Sequence, residues 1–161
     1  MLKALSFEDL PNRDKLLSMS GLEAMRAILD AQMPAPPIGD TLNYHLHMVE
    51  PGRVTFRGTP RFAHTNPMGT VHGGWYGTLL DSAMACAVMT KVPKGSLYTT
   101  LEYKINIARS IPLDTEIEAT GVVSHAGRST GIATGEIRGI SDGTLYATGS
   151  TTCIIMKIKD E

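Results

Sequence analysis

Cysteine is nearly absent from this chain of 161 residues: Cys86 and Cys153 stand alone in unrelated contexts. Two isolated thiols exclude a disulfide scaffold and any CxxC metal or redox motif, and they suit a reducing cytosol. Long apolar runs are missing as well. None approaches the roughly 18 residues that a membrane-spanning helix needs, and Glu8 and Asp9 stand where a signal peptide needs its apolar stretch. A cytoplasmic location without a membrane partner is the expectation. Charge of one sign is lacking too, since 15 Lys+Arg against 16 Asp+Glu leave a net charge of −1. No global basic field exists to drive sequence-independent nucleic-acid binding, so nucleic acid is not an expected partner. What remains, 42% hydrophobic and 19% charged residues, is the composition of an ordinary globular chain.

Residues 1–40 read as an N-terminal helical extension ending in a Pro-rich connector. Ser20-Gly21-Leu22-Glu23 fits a capping box. Leu22, Met25, Ile28 and Leu29 then fall on one helical face. The helix must end before Pro34, and Pro34-Ala35-Pro36-Pro37 makes a stiff extended segment. The extension is too short to hold a core of its own.

Residues 41–161 read as one domain with a period of two in its strands. Leu42, Tyr44, Leu46 and Met48 alternate with polar residues, and Glu50-Pro51-Gly52-Arg53 turns the chain toward Val54 and Phe56. After a turn-rich loop, one strongly apolar helix is expected from Gly73 to about Met89, and four strands over 97–156. Pro112-Leu113-Asp114, Ala126-Gly127-Arg128 and Ser141-Asp142-Gly143 join those strands. Short strands linked by tight turns pair antiparallel. The fold class is therefore α+β, an antiparallel sheet wrapped around one long central helix.

That helix, GGWYGTLLDSAMACAVMT, is apolar or small almost all round, yet carries one carboxylate, Asp81. Positions three and four away hold Gly77, Thr78, Met84 and Ala85, so no cation on the helix pairs with it. Asp81 either caps a loop amide elsewhere in the fold or faces a wet site. At the helix start, His72-Gly73-Gly74 follows Asn66 by six residues. Glycines there permit a tight turn, and they also let a ligand approach free amides. An amide plus the Asn66 NH₂ would suit a developing oxyanion. Gly73 and Asp81 are eight residues apart, about 12 Å along the axis at ~1.5 Å per residue. One helix cannot bring both to one carbonyl, so joint catalysis requires Gly73 of one subunit and Asp81 of a two-fold partner.

Asn66-Pro67-Met68-Gly69-Thr70-Val71-His72-Gly73-Gly74, followed by Leu79-Leu80-Asp81-Ser82-Ala83, resembles the signature of PaaI-like hotdog-fold acyl-CoA thioesterases, over about residues 40–156. The resemblance implies a hotdog fold and hydrolysis of a thioester to a carboxylic acid and free coenzyme A. It implies that Gly73 N–H and Asn66 hold the thioester oxygen, with His72 shaping the loop and supporting Asn66. Asp81 of the opposing subunit would be general base or nucleophile. Thr100 is the best match for the water-orienting hydroxyl of the following strand, with Thr99 the alternative, since Thr100 shares a polar face with Glu102 and Lys104. Arg128 sits at a turn where relatives contact CoA. Coenzyme A would be part of the substrate, with no metal and no other cofactor. The expected assembly is a homodimer or a dimer of dimers. Arg109-Ser110-Ile111-Pro112 departs from the family, many of whose members have Arg-Pro directly.

Gly74, Trp75 and Tyr76 at the helix start are further substrate-binding candidates, the two rings lining an acyl pocket for an aryl or phenylacetyl group, or else packing in the core. His45 and His47 share a strand face but lack a third ligand at a recognisable spacing. Two other functions fit the same residues: a non-catalytic acyl-CoA-binding module, and a hotdog hydratase or dehydratase suggested by His64-Thr65-Asn66-Pro67.

Overall fold

A computed structural model of the chain describes residues 2–158. Helix α1 (Arg13–Leu17) precedes α2 (Gly21–Leu29) and the single-turn α3 (Ile38–Thr41). The hairpin β1 (Tyr44–Glu50) and β2 (Arg53–Gly58) leads through a loop to the long helix α4 (Gly73–Met89). Strands β3 (Ser96–Ile107), β4 (Ile117–Ala126), β5 (Thr130–Gly139) and β6 (Leu145–Lys157) complete one six-stranded sheet. Its order is β1-β2-β4-β5-β6-β3, with every pairing antiparallel. The sheet curls around α4, which is the hotdog arrangement.

Helix α4 is the core. Leu79, Leu80, Ala83, Met84, Ala87 and Val88 are all fully buried against the inner sheet face. The helix lies so close to the sheet that a Cβ on Gly121 of β4 would stand 2.2 Å from the Ala83 carbonyl oxygen. Only glycine admits that approach.

The capping box at α2 forms as expected: Ser20 Oγ accepts from Glu23 N at 3.3 Å, and Glu23 Oε2 accepts from Ser20 N at 2.7 Å. Met25 joins the core cluster, and Leu22, Ile28 and Leu29 pack against it. Gly21 N–H donates to Val92 O at 3.0 Å, and a Cβ at Gly21 would overlap the Met89 carbonyl. The Pro-rich connector is extended, and Ala35 pairs with the chain's beginning through Ala4 N–H to Ala35 O and Ala35 N–H to Leu2 O. Residues 2–40 thus lie directly on β1 and α4.

Two β-bulges alter the expected alternation. In β1 the register shifts between Leu46 and Met48, so Val49 rather than Met48 is buried beside Tyr44 and Leu46. Leu42 lies outside the strand as the C-cap of α3, and Asn43 takes φ +53° between them. In β3 the register shifts between Thr100 and Glu102, leaving Leu101 as the extra residue opposite β6. No helix among the described residues is long and apolar enough to cross a membrane.

Candidate active site

Asp81 lies in the middle of α4, on the side covered by β3. Its carboxylate is half-buried and accepts a hydrogen bond from Thr100 Oγ1 at 2.9 Å. Burial raises the carboxyl pKa above the ordinary 3.8, and the Thr100 hydroxyl, which favours the charged form, holds it back. A cleft of about 270 Å³ opens over Asp81, bounded by Ala85, Cys86, Tyr98, Thr99 and Thr100 among others. The carboxylate is thus neither a loop cap nor an ion-pair member, for no described cation pairs with it.

The bulge at Leu101 explains why Thr100 reaches it. Before the bulge, Tyr98 and Thr100 face α4. After it, Tyr103, Ile105 and Ile107 do, with the edge of the Tyr103 ring against Gly77 and Ile107 close to Gly73. Thr100 therefore does not share a face with Glu102 and Lys104, as simple alternation predicts. It contacts Asp81 because the strand rotates immediately after it. Thr99 is exposed at the border of the cleft.

The start of α4 is built by a short closed loop. Asn66 N–H donates to Thr70 O, and Asn66 Oδ1 accepts from Met68 N at 2.9 Å and Thr70 N at 3.3 Å. Asn66 Nδ2 donates to Thr70 Oγ1 at 2.9 Å, which leaves its second amide hydrogen. His72 is the N-cap of α4: its Nδ1 accepts from Gly74 N at 2.9 Å. That bond occupies the Gly74 amide. Among the described residues no acceptor takes the Gly73 amide, which lies at the half-exposed start of the helix between the exposed His72 and Gly74. His72 shapes the loop through this cap and through its own N–H to His64 O, but no hydrogen bond links it to Asn66.

Trp75 and Tyr76 are core side chains, 2% and 1% exposed, rather than the walls of a pocket. Trp75 Nε1 donates to Leu42 O at 2.9 Å, and Tyr76 Oη accepts from Ile111 N at 2.8 Å. Large rings next to the helix start satisfy their single polar atoms on loop backbone and fill space beneath it. Arg128 is exposed in the β4–β5 turn. His45 and His47 project from the exposed face of β1.

Three side chains beside Asp81 that the sequence analysis does not single out as site residues also bound its cleft: Ser82, Cys86 and Tyr98. Ser82 Oγ and Tyr44 Oη share a hydrogen bond of 2.9 Å. Burial pushes the Cys86 thiol up to about 12 and the Tyr98 hydroxyl well above its ordinary 10.0. The signal was their spacing, Cys86 one helical turn beyond Ser82 and Tyr98 two residues before Thr100 on the same face of the strand.

A model of the thioesterase superfamily matches residues 68–146, which include His72, Gly73, Asp81 and Thr100 and begin just after Asn66. The match spans just under half of the chain, over which the chain is similar to this superfamily. Mouse (Mus musculus) acyl-coenzyme A thioesterase 13 is 29% identical over 89 residues, covering 55% of this chain and 63% of the mouse protein. The chain thus spans less than two thirds of that relative's length. Among solved structures, a putative thioesterase from Ralstonia eutropha, described as phenylacetic acid degradation-related, superposes with a TM-score of 0.73 at 26% identity, covering 81% of this chain and 98% of that one. A mutant of the phenylacetic acid degradation protein PaaI from Thermus thermophilus superposes with a TM-score of 0.66 at 28% identity, covering 73% of this chain and 97% of that one. The matched region therefore includes Asp81, the one carboxylate of α4.

Proposed function

We propose that the protein is an acyl-CoA thioesterase, and the observation that carries this reading is the half-buried Asp81 held by Thr100 at the floor of an open cleft. In the reaction, water adds to the thioester carbonyl carbon while Asp81 takes its proton, or Asp81 itself attacks the carbonyl and water then cleaves the anhydride. The negative charge that develops on the carbonyl oxygen needs donors. Gly73 N–H of the opposing subunit, with the remaining Asn66 amide hydrogen, meets that need. Collapse breaks the carbon–sulfur bond, and the CoA thiolate leaves and is protonated. Thr100 orients the carboxylate or the attacking water. Arg128, exposed in its turn, offers a cation to the phosphates of CoA. The names of the mouse relative and of the phenylacetic acid degradation proteins favour acyl-CoA, and an aryl-acyl group in particular.

Dimerisation fits the same reading. Strand β3 is an edge of the sheet, and Leu101, Tyr103 and Ile107 on it are 60%, 46% and 46% exposed. A long edge strand with apolar side chains invites a second copy. The test is thiol release from acetyl-, octanoyl-, dodecanoyl- and phenylacetyl-CoA, comparing wild type with Asp81→Asn and recording the sedimentation coefficient of each. Turnover by a dimeric or larger wild type that falls at least about a hundredfold in the variant is expected. Turnover unchanged by the substitution overturns the role of Asp81. Binding of acyl-CoA without turnover replaces the enzyme with a binding module.

A further inference from the structure

A second cavity, of about 250 Å³, lies beneath the N-terminal extension. Its floor is a stripe of α4 at helical spacing, Ser82, Cys86 and Met89; its side is the β1–β2 hairpin, through Leu46 and Phe56. Its roof is the extension: Met25 and Ile28 of α2, Ala35 and Pro36 of the connector, and Ile38 of α3. The lining is overwhelmingly apolar. The Tyr98 hydroxyl and Cys86 thiol stay protonated at neutral pH because burial disfavours their charged forms.

This cavity and the Asp81 cleft share Ser82, Cys86 and Tyr98. On α4, Asp81 and Ala85 face the cleft, while Ser82 and Cys86, each one residue further along, also face the cavity. A group whose carbonyl lies at Asp81 therefore has an apolar space about one helical turn away. Lys3 Nζ and Asp40 Oδ1, also on its lining, form an ion pair of 2.7 Å between the beginning of the chain and α3. The pair ties together two parts of the extension that the Leu2–Ala35 and Ala4–Ala35 bonds also hold.

We propose that residues 2–40 form the roof of the acyl-chain pocket and set the length of acyl group the protein accepts, an uncharged chain of medium length or a phenyl ring with a short linker. The assignment rests on the thioesterase reading for the position of the carbonyl. Size supports the class of ligand: an apolar cavity of ~150 Å³ holds benzene, and this one is larger and partly covered by the extension. A long acyl chain meets Ile28, Ala35 and Ile38 before it reaches solvent. The extension is then the part of the chain that converts an open groove on the hairpin and helix into a pocket of fixed depth.

The experiment compares kcat/KM for octanoyl-CoA against acetyl-CoA in wild type, Ile28→Trp and Ile28→Ala, with Ala35→Leu as a second filling variant and circular dichroism to confirm folding. Filling the roof should lower the octanoyl-to-acetyl ratio at least tenfold, and Ile28→Ala should raise the ratio of dodecanoyl to octanoyl turnover at least threefold. Ratios that stay within twofold of wild type in folded variants overturn the proposal. Wild type that turns over no thioester refutes the enzymatic reading alone. The pocket is then tested by ligand-observed NMR with 1-octanol, an uncharged probe: binding weakened at least tenfold by Ile28→Trp sustains it, and binding that is absent or unchanged overturns it.

Discussion

Thr100 Oγ1 donates to Asp81 Oδ1 at 2.9 Å across the seam between β3 and α4, and it does so from the last residue before a β-bulge. The two residues stand 19 positions apart in a chain whose central helix holds no other charge. Because the bond favours the ionised carboxyl while burial disfavours it, Thr100 acts on the protonation of Asp81 as well as on its orientation.

Thr100→Val keeps the shape of the side chain and removes the donor. The Asp81 carboxyl then rises further above 3.8, since only burial remains to shift it. With Asp81 acting as base or nucleophile in its ionised form, the acid limb of the kcat/KM profile should move to higher pH in the variant, with a smaller loss at alkaline pH than at pH 6. A limb that stays in place separates Thr100 from the titration of Asp81.

Asp81→Asn should make the protein more stable at neutral pH while removing activity. Burial keeps a proton on folded Asp81 at pH values where the unfolded chain has released it, so stability from this group falls as pH rises above the ordinary 3.8. The neutral amide escapes that loss and still accepts from Thr100. Thermal melts at pH 7 should show a higher Tm for the variant, and the gap should close as pH falls through 3.8. A lower Tm at pH 7 would falsify the assignment of Asp81 as a strained functional group.

The Cys86 thiol, pushed up to about 12, holds only about one thiolate in ten thousand at pH 8. Native protein should therefore react with an aromatic disulfide reagent far more slowly than a free thiol, although Cys86 borders two cavities. Buried Cys153 should be equally slow. Full colour should develop only after unfolding in guanidinium, and rapid titration of one thiol in the native state is the contrary result.

Gly121→Ala places a methyl group 2.2 Å from the Ala83 carbonyl oxygen on α4, which is backbone and has no rotamer to yield. The helix must lift from the sheet. Urea titration should show a loss of about 1–3 kcal/mol, the range for overpacking a close contact. Since Ala83 is two residues from Asp81, the Thr100 bond should lengthen and activity should fall with stability. Unchanged stability would mean the sheet can bend away freely at this point.

Much of the architecture was legible in the residues because it depends on local rules. Ser20 and Glu23 form a capping box within four consecutive residues, the turns at Pro112, Gly127 and Gly143 are set by their own chemistry, and α4 begins and ends where its glycines and Pro93 put it. Asp81 was legible as an anomaly for the same reason: a single carboxylate in an apolar helix is a property of the sequence. The face of a strand is different. Alternation placed Thr100 with Glu102 and Lys104, and placed Met48 inward; the bulges at Leu101 and in β1 reversed both. A bulge is one residue more on one strand than on its partner, so it exists only once β3 lies against β6.

The sequence by itself determined helix α2, the strands and helix after residue 41 with their order, the helix that becomes the core, and the residue around which a site is built, but not the short helices α1 and α3. Each of these follows from periodicity, capping and turn propensity acting over a few residues. The tertiary structure alone decided that Thr100 reaches Asp81, that Trp75 and Tyr76 fill the core, and that residues 2–40 roof a cavity beside the carboxylate. Those outcomes depend on which surfaces, far apart in the chain, are pressed together when apolar area leaves water, and side-chain spacing along one segment carries no record of the segment opposite.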